Sequence, residues 1–315
     1  MSYIYEALLR AERERQSSPP SVEEQRPDPQ EEIPVVPRME EIPAALPEIP
    51  AALPEIPLYS WNPFVPSFPT LAKHGRALEQ FRSLRSHIYQ ARNETPLKTI
   101  LISSGMPSEG KSFVAANLAV SLARNSNNRI LLIDGDLRRP SLNHMLGTPN
   151  EIGLSDFLTG SAELHAVMQR SKASDAEGSN DIQELANVTF IPTGSLHENA
   201  SELINNQRIK DLVARASNSF DWILIDSPPA LVFADAVDLA RAADAVLLVV
   251  RGAQTSYDVA QRAKSSFVNS RILGVVLNDI KNPPRRESYY NSYYYGYGKR
   301  EHPADSALKA KQEKE

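Results

Sequence analysis

The chain has 315 residues, 23% of them charged, a net charge of −5 and no cysteine. That length accommodates one large or two ordinary domains, and the missing cysteines exclude disulfides and thiolate metal sites. The near-balanced charge argues against a general polyanion-binding role, and the longest apolar runs, such as AVLLVV at 245–250, are far too short to cross a bilayer.

The N-terminus, MSYIYEALLRAERERQ, lacks the continuous apolar core of a signal peptide, so a cytoplasmic protein is expected, with any membrane role supplied by a partner. Within residues 1–16, Ile4, Ala7, Leu8 and Ala11 share one face of a short amphipathic helix. Such a helix is too short to be stable alone and either frays or docks on a partner or neighbouring subunit. Residues 17–71 read as a linker. Fourteen of the 24 prolines lie between Pro19 and Pro69, and EIPAALP occurs at 41–47 and again at 48–54. Proline removes amide donors and fixes φ, so the stretch is expected to be disordered, extended and partly polyproline II.

From residue 72 to 286 the pattern is that of a folded domain. Leu78, Phe81, Leu84 and Ile88 lie at helical spacing. Strand-like runs follow at 99–103, 129–134, 188–192, 222–227, 245–250 and 272–278, alternating with helical segments at 111–124, 200–216, 235–242 and 256–269. Continuous apolar strands alternating with helices predict an α/β fold, a mostly parallel sheet with helices on both faces and its ligand site at the carboxyl ends of the strands. Residues 170–187 read as a polar surface insertion.

GMPSEGKS at 105–112 fits the phosphate-loop pattern G-x-x-x-x-G-K-[ST], with a predicted strand before it and a helix after it. Gly105 and Gly110 let the backbone N–H groups of Pro107-Ser108-Glu109-Gly110-Lys111-Ser112-Phe113 wrap a phosphate, proline excepted, and the helix start adds its positive end. Lys111 is expected to reach the β- and γ-phosphates of ATP and Ser112 to ligate Mg²⁺. Two further strand ends carry aspartates, Asp134 and Asp136 in LLIDGDLRRP and Asp226 in ILIDSPP. An isolated aspartate at a strand end is usually a turn former. Three of them around a phosphate loop point to a Mg²⁺ shell, partly through water, with one carboxylate left to take a proton. Arg138 has two open roles, salt bridge or phosphate contact. Asn278 also has two, an adenine contact or a strand-end cap.

In this order, SSGMPSEGKSFVAANLA, LLIDGDLRRP and ILIDSPP resemble the bacterial tyrosine kinases of capsule and exopolysaccharide systems, P-loop proteins with Walker A, A′ and B motifs. The resemblance covers about residues 72–298. It implies catalytic roles for Lys111, Asp134, Asp136 and Asp226, with Ser112, Asp136 and Asp226 at the metal. It assigns the phenol proton to Asp134, although Asp134 and Asp136 can exchange roles. EQFRSLR is similar to the family's E-x-x-R-x-x-R element, which implies ring-forming contacts through Glu79, Arg82 and Arg85. The family's partners are a membrane chain-length or co-polymerase activator, here a separate chain, and a tyrosine phosphatase. No nucleic-acid module is recognisable.

The tail 287–315 holds Tyr289, Tyr290, Tyr293, Tyr294, Tyr295 and Tyr297 among Gly, Ser and Asn. Alone it reads as low-complexity sequence. The resemblance makes it the flexible phosphoacceptor segment, entering a neighbouring active site. Two alternatives remain. Partitioning-type P-loop ATPases share the D-x-PP motif, but carry a second lysine directly after the first glycine of the loop, where this chain has Met106. A nucleotide-dependent scaffold without kinase activity is the other. The chain also departs from the kinase pattern after the third of its main strands, with HENA at 197–200 in place of a proline-rich turn.

Overall fold

The computed structural model describes residues 55–125, 128–172, 183–195, 200–204 and 207–280. The expected helix at 3–15, the repeats at 41–54 and the tyrosine tail lie outside the described residues.

Within the described residues the strands are β1 (Leu58–Tyr59), β2 (Thr99–Ser104), β3 (Ile130–Asp134), β4 (Gln169–Ser171), β5 (Val188–Ile191), β6 (Trp222–Asp226), β7 (Ala245–Arg251) and β8 (Ile272–Asn278). They form one sheet in the order β1-β4-β5-β3-β6-β2-β7-β8, parallel except for the β4–β5 pair. The helices are α1 (Arg76–Glu94), α2 (Lys111–Ala123), α3 (Leu142–Leu146), α4 (Leu154–Thr159), α5 (Gln183–Ala186), α6 (Ala200–Ile204), α7 (Arg208–Ser217), α8 (Asp235–Ala240) and α9 (Tyr257–Ser266).

Strands β2, β3, β5 and β6 are buried at every residue, which is why their sequences are unbroken apolar runs rather than alternating ones. The two-residue period of the strand then divides these side chains between two cores. Ile100, Ile102, Ile130, Leu132, Trp222 and Leu224 join Phe81, Ile88, Val114 and Leu118 of α1 and α2 on one face. Leu101, Leu131, Ile133, Ile223 and Ile225 join Ile204, Ile209, Leu212, Leu239 and Ala263 of α6 to α9 on the other. Trp222 also locks α1 to the sheet, with Tyr89 edge-on at 5.6 Å and the Arg92 guanidinium 4.5 Å from its ring centroid.

The folded domain starts earlier than residue 72. Leu58–Tyr59 pairs with Arg170–Ser171 at the sheet edge, Trp61 packs edge-on against Phe190 at 6.3 Å, and Phe68 and Leu71 are buried. Proline excludes an inner strand or long helix, but an edge strand tolerates missing donors. After Pro57 the segment also carries large apolar side chains that bury in the domain. Asn117 of α2 holds it further, accepting from the Thr70 hydroxyl at 2.7 Å and donating to the Ser67 carbonyl at 2.8 Å. The ends of the expected polar insertion are likewise structural, as β4 and as α5 with its buried Leu185. Within the segment 200–216, expected as one helix, the described residues form α6 and α7.

The sheet order sets β3, β6 and β2 side by side, and pairing puts Asp134 directly opposite Asp226 and Asp226 opposite Ile102. Three predicted motifs therefore emerge at one end of three neighbouring strands.

Candidate active site

The turn after β2 runs through Ser108 and Gly110 with φ of +64° and +91° and opens α2 at Lys111. The left-handed φ at Gly110 favours glycine, and a Cβ there would sit 2.0 Å from the Asn278 amide nitrogen and displace that side chain. Glu109 turns inward. Its carboxylate accepts the Met106 N–H at 2.7 Å and the Thr255 hydroxyl, which folds the loop on itself and ties it to the segment before α9. Asn278 donates its amide to the Glu109 carbonyl at 3.0 Å. It braces the loop from the end of β8 and also lines a neighbouring cleft of about 970 Å³ between α1 and β8. Arg251 adds a second brace there, with two bonds to Asp279 at 2.8 and 3.0 Å. Neither the Thr255 nor the Arg251 contact is visible as a motif, because each joins residues far apart in sequence that only the assembled sheet brings together.

Lys111 and Ser112 lie at the first turn of α2. The Lys111 ammonium is 3.0 Å from Asp136 and 4.0 Å from Asp226. Burial works against its charge, but Asp226 and then Asp136 outweigh that and hold its pKa above the ordinary lysine value. Asp134 is fully buried, and burial together with the facing Asp226 carboxylate pushes its pKa up to about 7. The N–H groups of Leu142 and Ser141, both 3.2 Å away at the start of α3, oppose that shift, and the Asp136 N–H completes the shell at 3.2 Å. Burial raises Asp226 to about 6, against the pull of Lys111 and of the Ser112 hydroxyl.

Both Asp226 oxygens are buried and make no hydrogen bond of ordinary geometry among the described residues, the Lys111 ammonium at 4.0 Å and the Ser112 hydroxyl acting on them only from a distance. A buried, unsatisfied carboxylate is costly unless a cation completes it. Among the described residues no three acidic or histidine side chains converge into a ready-made metal cage. A divalent cation would therefore take its remaining ligands from phosphate and water, the usual habit of Mg²⁺, and the residues present fit it on those terms.

Phosphate loop, Asp136, Arg139, Ser141, Pro229, Val232 and Phe233 line a cavity of about 290 Å³. Of the two roles open to Arg138, the structure shows the salt bridge. Its Nε meets the buried Asp235 at 2.9 Å, its terminal amine meets Ser201 at 2.7 Å, and the guanidinium lies 4.4 Å from the Phe233 centroid. On α1, Glu79 and Arg82 pair with each other at 2.6 Å and are exposed, whereas Arg85 donates to the Ser121 carbonyl of its own chain at 2.6 Å. The six tail tyrosines lie outside the described residues.

A parallel sheet covered on both faces, with a glycine-gated phosphate loop and strand-end aspartates at its carboxyl edge, defines a P-loop nucleotide-binding protein. A family model described as an AAA domain matches residues 97–263. The tyrosine-protein kinase YwqD of Bacillus subtilis is 31% identical over 221 residues, 69% of this chain and 86% of that protein. The chain belongs to the bacterial tyrosine-protein kinase family. The tyrosine-protein kinase wzc of Salmonella typhimurium is 34% identical over 232 residues, covering 73% of this chain but only 30% of that protein's length. Among solved structures, the chimerical protein CapA2B2 superposes with a TM-score of 0.62 at 26% identity, over 72% of this chain and 96% of the other. The kinase domain of Escherichia coli tyrosine kinase ETK does so at 0.58 and 28% identity, over 66% and 79%. Among the described residues no helix is long and apolar enough to cross a membrane.

Proposed function

We propose that this chain is a protein-tyrosine autokinase that transfers the γ-phosphate of ATP to its own C-terminal tyrosines and thereby regulates exopolysaccharide or capsule synthesis. The observation that carries this reading is the meeting of Lys111 with Asp136 and Asp226, beside a fully buried Asp134, at the mouth of the phosphate loop. Phosphoryl transfer needs positioning and charge neutralisation more than covalent chemistry from the protein. Lys111 and the loop amides hold the β- and γ-phosphates. Ser112, Asp136 and Asp226 would hold Mg²⁺, which when bound neutralises phosphate charge. Asp134 accepts the phenol proton as the tyrosine oxygen bonds to the γ-phosphorus and the bond to the β-phosphate oxygen breaks, releasing ADP. A free phenol ionises near pH 10, so a carboxylate whose pKa is raised toward neutrality is a better matched acceptor than an ordinary one.

Tyr289, Tyr290, Tyr293, Tyr294, Tyr295 and Tyr297 are the acceptors, presented between chains. Each phosphate adds about −1.5 to −2 charges, so full modification turns a neutral segment strongly acidic and disfavours ring contacts. A separate membrane co-polymerase protein activates the kinase and a tyrosine phosphatase resets it, with residues 1–54 lending reach to the encounter. Intact-mass and phosphopeptide mapping after incubation with MgATP, with and without the co-polymerase's cytoplasmic tail, tests the reading. Phosphate is expected at 289–297 and absent when all six tyrosines are phenylalanine. ATP hydrolysis with no phosphotyrosine under either condition would instead favour the ATPase or scaffold alternatives.

The exposed Glu79–Arg82 pair of α1 supports a contact between subunits, with Arg85 retained inside its own chain. Arg82→Ala is expected to leave the monomer folded and remove large species in sedimentation velocity. Arg85→Ala is expected to loosen α1 from α2 as well, seen as a lower melting temperature. Unchanged assembly in Arg82→Ala removes the contact from consideration.

A further inference from the structure

We infer that Arg139 is the residue that distinguishes ATP from ADP at this site, by engaging the γ-phosphate. The inference rests on the nucleotide site described above and assigns a role to the second arginine of LLIDGDLRRP.

The charge balance of the cavity comes first. Its buried acidic neighbours are Asp134, Asp136 and Asp226, and the ammonium among them is that of Lys111. A triphosphate entering such a site brings further negative charge and needs cations beyond one lysine. Mg²⁺ supplies part of that charge. The cations lining the cavity are Lys111 and Arg139. Lys111 is already engaged with Asp136 and faces Asp226, whereas Arg139 is exposed and its guanidinium makes no ion pair among the described residues. Arg138, one residue earlier, is held by Asp235, Ser201 and Phe233 and is not available for the same task.

Anchoring comes second. The backbone N–H of Arg139 donates to Asp136 Oδ1 at 3.0 Å, while Asp136 Oδ2 takes the Lys111 ammonium at 3.0 Å. One carboxylate therefore fixes both the lysine that reaches the phosphates and the backbone from which the arginine extends. Arg139 lines the same cavity as Ser112 and the loop. A guanidinium donates in a planar fork suited to two phosphate oxygens, and a contact made only to the terminal phosphate grips the charge of the transferring group. Once the phosphoryl group leaves, ADP is held by the loop and Lys111 without that contact.

The substitution is clean, because Asp136 receives a backbone N–H that any residue but proline supplies and the side chain is exposed. The test measures affinity by titration calorimetry on the full chain with MgCl₂, for ADP and for a non-transferable ATP analogue with an imido bridge between its β- and γ-phosphates. Arg139→Ala is expected to weaken the analogue on the order of ten- to a hundredfold and ADP by less than about twofold, with Arg139→Lys between. Circular dichroism melting checks that each variant is folded. Equal loss for both nucleotides, or no loss for either, overturns the inference. A wild type that discriminates between the nucleotides but forms no phosphotyrosine fails the kinase reading and leaves Arg139 in place. One that phosphorylates itself while Arg139→Ala keeps its discrimination fails the inference alone.

Discussion

Lys111→Met is expected to lower tyrosine phosphorylation by at least about 10²–10³-fold while leaving the protein folded. The magnitude is that of removing one preorganised charge donor from a water-excluded site. Methionine retains the apolar volume of the lysine stem, so the loss is electrostatic rather than steric. The ammonium has a second task in the ligand-free protein, where it is 3.0 Å from Asp136 and 4.0 Å from Asp226. Without it the buried Asp226 carboxylate loses the main cation that lowers its pKa. A stability loss of about 2 kcal/mol follows at neutral pH, because one partner of a buried pair is left behind. Radiolabelled phosphate transfer and urea melts on the same preparation separate the two effects. Full activity in a folded Lys111→Met protein would remove the lysine from the chemistry.

The second large effect is a pH dependence centred on Asp134. Its pKa is raised to about 7 and that of Asp226 to about 6, against an ordinary 3.8. Between about pH 4 and pH 7 the unfolded chain has released these protons and the native state still binds them, so stability falls as pH rises through that window. The loss is of the order of a few kcal/mol for the ligand-free protein, read from urea midpoints at constant ionic strength. Activity runs the other way. A proton acceptor must be ionised, so phosphorylation at saturating MgATP is expected to rise with pH along a limb governed by Asp134, the bound cation drawing that limb lower. Asp134→Asn is expected to lose about 10²–10⁴-fold in rate and to flatten both profiles. An Asn variant that keeps the activity limb would move the proton to Asp136, the other carboxylate of the same motif.

Much of the fold was legible because its signals are local. The parallel sheet could be read from unbroken runs such as ILLID and WILID, since a strand covered on both faces has no polar side to display. The phosphate loop could be read because its glycines answer to backbone geometry, as the positive φ of Gly110 shows. Other elements left little trace. The strand at Leu58–Tyr59 is two residues long and surrounded by prolines, so composition pointed to linker while the burial of Trp61 and Phe68 depends on surfaces far away in sequence. Arg138 and Arg139 are adjacent and chemically identical, and only the position of Asp235, almost a hundred residues later, makes one a structural anchor and leaves the other facing the cavity.

The sequence by itself determined the class of fold, the phosphate loop and the identity of the aspartates at the strand ends, because periodicity and glycine chemistry act over a few residues. Tertiary structure decided what those aspartates are. Strand order alone puts Asp134 opposite Asp226 and brings Lys111 to Asp136, and burial there raises two carboxylate pKa values toward neutrality. The physical reason is that desolvation and Coulomb interactions depend on distances through space, which a linear chain does not contain until the sheet is assembled.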